Sequence, residues 1–462
     1  MPDLNVLTIR SAGELLAARE LSAVELVEAA LERLELTEPS VHAYVHIDGD
    51  GAIASAKQLD ERDPSGPLHG IPVGIKDVIA THDLPTEAGS RLLAGHRPAA
   101  DAEVVARLRA AGAVVIGKHV THEFACGQDD PPTRNPWDLV RYPGGSSAGG
   151  GVSVQVGSSL LALGTDAGGS VRKPACVTAT VGLKATHGRI SGSGTLRCAS
   201  APSLDHVGTF TRTVEDCAIT LSVLAGFDPA DARSIDEPVP EYRESLDAGI
   251  EGFRIGVAPA AFSEEISQAE VWALFEDALR ELERQGASLV EVELPSFEHA
   301  LAAAFTILPT EVSTPHHRWV VEQPDSYHAR TRRLLELGMI LPTAQLQQAY
   351  SIRRAIAADV QRTFCDAGLD VLVTPTLPVV PPRLGEMIPG DFGSLIPFTV
   401  PFNLTGQPAL SVPCGFTDRG LPAGLQIVGH PFGEATVLRV GHAYEQATAW
   451  HRRRPALVTA AA

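Results

Sequence analysis

The segment from Tyr142 to Thr165 constrains the fold most, because it carries no charged side chain and is crowded with glycine and serine. Its length would suffice to span a bilayer, but so many glycines do not favour insertion. In a protein surrounded by water, such a segment is better placed at a buried centre, where backbones pass closely and side chains are small. Its glycines are Gly144, Gly145, Gly149, Gly150, Gly151, Gly157 and Gly164.

Charge and cysteine usage limit the classes of binding partner and indicate the cellular compartment. The 462 residues include 37 Lys plus Arg against 56 Asp plus Glu, a formal charge of -19. This charge repels phosphate backbones and anionic membranes, so we expect neither nucleic acid nor a membrane as a partner. The six cysteines form no C-x-x-C pair, and the N-terminus lacks a basic region followed by an apolar run. Both features indicate a soluble protein of the reducing cytoplasm.

Hydrophobic periodicity predicts an α/β fold. The capping-box patterns Ser11-x-x-Glu14 and Ser22-x-x-Glu25 open two helices over residues 11–36, and Ser267-x-x-Glu270 opens another. The apolar runs HGIPVGIKDVI and AGAVVIGK read as strands around a helix at 101–111, and PALSVPCGF and GLPAGLQIVG read as a strand pair. Residues 300–365 look mainly helical. No linker or repeat interrupts the chain, so we expect a single large domain over residues 1–462.

Three residues stand out as candidates for catalysis: Lys76 inside an apolar strand, Ser146 in PGGSSAGGG and Ser170 in GTDAGGS. Each also has an ordinary structural interpretation. Glycine clusters usually mark turns or close backbone packing. A lysine in a strand usually reaches out to water.

Together with their neighbours, these motifs resemble those of the amidase signature hydrolases, in the same order along the chain. The resemblance implies an α/β fold with a central mixed β-sheet covered by helices on both faces. It also implies a catalytic signature core at 65–215 and a variable substrate-pocket region at 227–400. The matching segments are GIPVGIKDV, PTRNPWD, PGGSSAGG, LGTDAGGSVRKPA, GLKATHGRI, SLDHVGTFTRTVEDCA and PFNLTGQPALSVP.

The resemblance assigns roles to individual positions. Lys76, Ser146 and Ser170 match the family's catalytic residues, and in the family the first of these serines follows a non-proline cis peptide, here after Gly145. The backbone N–H groups that would form the oxyanion hole are those of Ala167, Gly168, Gly169 and Ser170. The implied reaction is amide hydrolysis through an acyl-enzyme, with release of ammonia or an amine and no metal or organic cofactor.

The chemistry of the residues supports these roles independently. No histidine lies in a recognisable hydrolase motif, so a lysine must activate the serine. A free lysine has a pKa of about 10.4, and burial among apolar neighbours would lower it. Lys76 has such neighbours, and we expect the adjacent Asp77 carboxylate to point away from it. A hydroxyl both donates and accepts, so Ser146 can couple the lysine to Ser170.

The pocket departs from the family's usual pattern. The stretch EFACGQDDPPTRNPWD looks about five residues shorter than is usual, a change that surface loops tolerate. Lys173 stands where an uncharged side chain is more common. The hypothesis is that it contacts an acidic group of the substrate or an acidic neighbour such as Asp129 or Asp130, and the alternative is a solvated or internally paired lysine. The candidate substrate-binding residues are Ser147, Lys173, Cys126 and Gly127.

Other sites and other functions have weaker support. The pairs His119/His122 and His316/His317 belong to no metal motif, and Cys126 and Cys176 lack an activating base. Two alternatives to a standalone amidase remain: the glutaminase subunit of a tRNA-dependent amidotransferase, and a ligand-binding homologue without activity. The shortened stretch argues against the first, and the three intact catalytic positions argue against the second. A homodimer is plausible by analogy alone.

Overall fold

The computed structural model describes residues 6–127, 131–199, 201–262, 265–386 and 393–459. Its strands are β1 (Tyr44–Ile47), β2 (Pro72–Lys76), β3 (Val114–His119), β4 (Leu161–Thr165), β5 (Val181–Lys184), β6 (Val207–Thr211), β7 (Arg254–Val257), β8 (Ser288–Glu291), β9 (Val371–Pro375), β10 (Ala409–Phe416) and β11 (Pro422–Gly429).

The α-helices of the described residues surround these strands in sequence. They are α1 (Ile9–Ala17), α2 (Ala23–Val41), α3 (Gly49–Asp60), α4 (Glu103–Ala110), α5 (Ala148–Val156), α6 (Arg172–Thr178), α7 (Val214–Leu224), α8 (Ala269–Arg284), α9 (Ala300–Glu322), α10 (Ala329–Ile340), α11 (Thr343–Ala367), α12 (Pro401–Thr405), α13 (Glu434–Ala447) and α14 (Ala456–Thr459).

All the strands join one sheet in the order β1-β3-β2-β4-β6-β5-β10-β11-β9-β7-β8. The strands β3-β2-β4 on one side and β9-β7-β8 on the other are parallel, and those between are antiparallel. The antiparallel pairing of β5 with β10 joins the two halves of the chain. A single domain with a large mixed sheet flanked by helices is therefore confirmed.

The uncharged segment lies at the centre, as its composition predicts. Every residue from Tyr142 to Thr165 is buried, and the segment forms the loop before α5, α5 itself and β4. A Cβ added at Gly149 would lie 2.0 Å from the carbonyl oxygen of Ala43, and one at Gly150 would lie 2.7 Å from the ring of Phe210. Glycine is needed here because neighbouring atoms occupy the space of a side chain. Among the described residues, no helix is both long and apolar enough to cross a membrane.

The helix starts were predicted with mixed success. The capping box at Ser22 forms as expected. The first helix begins earlier than predicted, because Thr8 accepts the N–H of Ser11 at 3.0 Å and is itself the N-cap. The predicted cap at Ser267 is wrong, since α8 begins after Gln268 without a side-chain cap. The strand pair formed by β10 and β11 and the helices over 300–365 are confirmed.

Candidate active site

Lys76 lies where two parallel strands end. It is the last residue of β2, Thr165 is the last residue of β4, and the two strands pair in parallel. The Nζ of Lys76 donates to the Oγ of Ser146 at 2.8 Å and to the Oγ1 of Thr165 at 2.8 Å. The structure thus brings together two of the predicted catalytic residues. It adds Thr165, which the sequence did not single out.

Burial lowers the pKa of Lys76 toward neutrality. Its side chain is inaccessible to solvent, and burial lowers its pKa to about 7 against the opposing carboxylates of Asp205 and Asp166. The ammonium of Lys173 contributes to the lowering. The Asp77 carboxylate lies 3.7 Å from Lys118 and accepts a backbone N–H of the following loop, so its predicted orientation away from Lys76 is confirmed.

Ser146 is held by its backbone as well as by Lys76. The peptide bond between Gly145 and Ser146 is cis, as the family resemblance implied. The N–H of His122 donates to the carbonyl oxygen of Ser146 at 3.1 Å. A Cβ added at Gly145 would lie 2.3 Å from the ring of His122. The imidazole therefore packs directly against the peptide that precedes Ser146.

Ser170 follows β4 in the loop that leads to α6. It is partly exposed, and its hydroxyl forms no hydrogen bond with any residue that the structure describes. The hydroxyl lies at a pocket rather than against Ser146, so the predicted contact between the two serines is not formed as a hydrogen bond here.

A buried ion pair fixes the loop that carries Ser170. The Asp166 carboxylate accepts Nε and Nη2 of Arg172 at 3.0 and 2.9 Å and the Nδ2 of Asn403 at 2.9 Å. Arg172 also donates to the carbonyl oxygen of Thr399 at 2.9 Å and to Gln426 at 2.7 Å. Burial alone would raise the pKa of Asp166, but the guanidinium beside it holds that pKa well below its usual range. A charge pair this well bonded can be buried.

Three of the four predicted oxyanion donors are available. The N–H groups of Ala167, Gly168 and Ser170 donate to no residue in the described ranges. Gly169 is the exception, because its N–H donates to the Oδ1 of Asp166 at 2.7 Å, and its assignment to the oxyanion hole is corrected. Its φ of 105° is one that glycine adopts without strain, and it turns the loop at this point.

The pocket next to Ser170 has mostly apolar walls. Of the predicted substrate-binding residues, Cys126, Gly127 and Lys173 lie on its walls. Ser147 does not, because its hydroxyl donates to the carbonyl oxygen of Thr165 at 3.2 Å and is buried against β4. The described lining residues are Ala125, Cys126, Gly127, Ala167, Gly168, Ser170, Lys173, Ala304, Phe305, Leu308, Leu334, Ile396 and Val400.

Lys173 lies one turn of α6 beyond Ser170 and is 2% exposed. A Cβ added at Gly169 would lie 3.0 Å from the Cγ of Lys173, so the lysine stem packs against the residue that precedes the serine. The proposed acidic neighbours Asp129 and Asp130 lie outside the described residues.

Two of the remaining candidates are buried side chains with shifted pKa values. Burial raises the thiol pKa of Cys126, and it lowers the pKa of His119 to about 3, so neither group is charged at neutral pH. One cluster of metal-ligand type occurs in the described part of the chain, formed by His82, Asp83 and Asp101. Arg109 pairs with both of its carboxylates, at 2.6 and 3.1 Å, and so compensates their charge.

Sequence reasoning missed the residues that support the site. Thr165 and Asp166 directly precede the glycine-rich turn, where buried polar groups at a strand end could have signalled a role. Asn403 carried no local signal beyond its place in PFNLTGQPALSVP.

Fold and site together define a class, the enzymes that break carbon–nitrogen bonds of amides by hydrolysis or amide transfer. The sequence model described as Amidase matches residues 25–438. The chain belongs to this family.

Individual relatives include both hydrolases and components of amidotransferases. The chain is 42% identical to the A subunit of glutamyl-tRNA(Gln) amidotransferase from Chloroflexus aggregans, over all of both chains. Among solved structures, 6-aminohexanoate cyclic dimer hydrolase superposes with a TM-score of 0.90 at 29% identity, covering 99% of this chain and 100% of the other. The A subunit of glutamyl-tRNA(Gln) amidotransferase from Thermotoga maritima superposes with a TM-score of 0.81 at 33% identity, covering 96% of each.

Proposed function

We propose that this protein hydrolyses the amide bond of a small molecule, with Ser170 as nucleophile, Lys76 as general base and Ser146 as the proton bridge. The observation that carries the proposal is the hydrogen bond of 2.8 Å between Lys76 Nζ and Ser146 Oγ. A serine hydroxyl is a poor nucleophile until a base accepts its proton. A lysine whose pKa burial lowers to about 7 is such a base at neutral pH.

The reaction follows from this geometry in two halves. The Oγ of Ser170 attacks the carbonyl carbon while its proton passes through Ser146 to Lys76, and the developing oxyanion is bound by backbone N–H groups. The carbon–nitrogen bond then breaks, and the leaving nitrogen takes the proton back along the same path. Water, deprotonated by the same base, releases the acid from Ser170 in the second half.

A serine-directed fluorophosphonate tests the nucleophile. We expect a single adduct at Ser170 in the wild-type protein, and none in Ser170→Ala. Labelling of Lys76→Met should be strongly slowed, because the serine loses its base. Ser351→Ala removes an exposed helical serine and should label like the wild type. A folded wild-type protein that takes no label at Ser170 would favour the ligand-binding homologue without activity.

The second candidate is a glutaminase subunit that supplies ammonia to an amidotransferase partner. The 42% identity to the Chloroflexus aggregans protein over the full chain favours it. L-Glutamine hydrolysis that is weak for the purified chain and rises sharply with a co-purified partner would support the second candidate and refute the first.

A further inference from the structure

His206 is a buried histidine that the proposed reaction does not use, and it lies behind the loop that carries Ser170. The backbone N–H of Asp166 donates to the carbonyl oxygen of His206 at 2.8 Å, and the N–H of His206 donates back to the carbonyl oxygen of Asp166 at 3.1 Å. These two bonds extend the antiparallel pairing of β4 with β6 by one residue pair. His206 therefore contacts the residue at which the loop begins.

The contacts of the His206 ring determine which nitrogen carries its hydrogen. Nδ1 lies 2.7 Å from the carbonyl oxygen of Leu204 and 3.2 Å from that of Asp166. Carbonyl oxygens only accept, so Nδ1 is the donor. Burial, and after it the nearby Lys184, hold the pKa of His206 well below its usual value, so the ring is neutral and has a single N–H. Nε2 is left as an acceptor, and it faces the Nζ of Lys184 at 3.4 Å.

The carbonyl oxygen of Asp166 is held by three donors. Besides the backbone N–H and the Nδ1–H of His206, it accepts the Nδ2 of Asn403 at 2.8 Å. This carbonyl belongs to the same planar, trans peptide group as the N–H of Ala167, and the two ends of such a group point in opposite directions. The N–H of Ala167 therefore points away from His206. Ala167 itself lies on the wall of the pocket beside Ser170.

From this geometry we infer that His206 is a positioning residue, which aims the N–H of Ala167 at the oxyanion by holding the opposite end of the same peptide group. The inference rests on the proposed function for the place of the oxyanion. In the described part of the chain the N–H of Ala167 has no acceptor, so its direction is set from the carbonyl side. Hydrogen bonds that the carbonyl accepts also polarise the peptide group and make its N–H a stronger donor. A donor fixed in advance stabilises the transition state without reorganising.

Three substitutions separate the roles of the two ring nitrogens. His206→Asn keeps an amide N–H near the position of Nδ1, His206→Gln keeps an acceptor near the position of Nε2, and His206→Ala keeps neither. With a serine-directed fluorophosphonate, the maximal rate of labelling of Ser170 should fall about 10-fold to 100-fold in His206→Ala, less than the loss of about 100-fold to 1000-fold when an oxyanion donor is removed. His206→Asn should retain most of the rate, and His206→Gln should resemble His206→Ala.

The split between rate and affinity distinguishes positioning from a general loss of structure. The fluorophosphonate concentration that gives half the maximal rate should change little, because the donor acts in the transition state. His317→Asn replaces an exposed histidine of α9 and should label like the wild type. Nuclear magnetic resonance of the wild type with isotope-labelled histidine tests the ring itself, whether or not the variants fold. We expect a protonated Nδ1 and an unprotonated Nε2 for His206 near neutral pH.

Failure of the inference and failure of the proposed function give different results. A protonated Nε2 in the wild type, a folded His206→Ala that labels at the wild-type rate, or a His206→Gln that labels as fast as His206→Asn would each overturn the inference. Wild-type protein that shows the expected Nδ1–H form but hydrolyses no amide and takes no fluorophosphonate at Ser170 would instead overturn the proposed function.

Discussion

Replacing Lys76 by methionine should abolish activity and at the same time change how stability depends on pH. An unfolded chain holds lysine with a pKa of about 10.4, and in the folded protein burial lowers the pKa of Lys76 to about 7. Between these values the unfolded state binds more protons than the folded state. The free energy of unfolding of the wild type therefore rises with pH in this window, and the penalty of burying Lys76 is largest below pH 7.

The size of this effect follows from the two pKa values. A difference between about 10.4 and about 7 corresponds to about 5 kcal/mol over the whole titration, at about 1.4 kcal/mol per tenfold change in the proton equilibrium. Methionine does not titrate, so Lys76→Met lacks this dependence. The variant also loses the hydrogen bonds to Ser146 and Thr165, worth about 1 kcal/mol each. That loss does not depend on pH and cancels when two pH values are compared.

Urea unfolding followed by circular dichroism at several pH values from 6 to 10.5 measures the effect. We expect the free energy of unfolding of the wild type, relative to that of Lys76→Met, to increase by about 4 kcal/mol between pH 7 and pH 10.5. Other titrating groups are common to both proteins and drop out of the comparison. Lys57→Met replaces an exposed lysine and should run parallel to the wild type. A difference between wild type and Lys76→Met that is constant with pH would refute the lowered pKa.

Three further changes test the supporting residues. Ser146→Ala should reduce kcat/KM for amides by about 100-fold to 10,000-fold with an unchanged circular dichroism spectrum, because the proton path is broken; near-normal turnover would contradict the bridge role. Arg172→Met leaves the buried Asp166 carboxylate without its cation and should cost about 3 to 5 kcal/mol in urea unfolding; a loss below about 1 kcal/mol would show that the pair is not needed. In Gly169→Ala, an alanine must adopt a φ of 105°, and its Cβ would lie 2.4 Å from Thr399 Oγ1. The loop must therefore shift, and kcat should fall. Steady-state kinetics equal to those of the wild type would contradict this prediction.

Local chemistry made much of the fold and part of the site predictable. The glycine-rich segment had to be buried, and the apolar run ending in Lys76 had to be a strand, because charge and periodicity allowed little else. The contact between Lys76 and Thr165 was not predicted, because it depends on the parallel pairing of β2 with β4, which brings the two strand ends together. The family motifs, in their order, supplied the roles.

Contacts between distant parts of the chain were beyond local reasoning. Nothing near Arg172 in sequence indicates that Asn403 and Gln426 receive its hydrogen bonds. Ser146 and Ser147 have the same side chain. Only the path of the backbone determines that the hydroxyl of Ser146 binds Lys76, whereas that of Ser147 binds a carbonyl oxygen of β4. The shortened stretch before Pro132 was expected to argue against a component of an amidotransferase. The 42% identity to such a component shows that one stretch is a weak guide to assembly.

The bonds from Arg172 to Thr399, Asn403 and Gln426 have a consequence for synthesis on the ribosome. The loop that carries Ser170 is translated early, but the residues that hold it in place are translated more than two hundred codons later. A nascent chain that has not yet reached residue 426 contains Ser170 but lacks part of the hydrogen-bond network that holds its loop. The loop of Ser170 therefore gains its full set of supporting hydrogen bonds only late in translation, when β10 and β11 join the sheet.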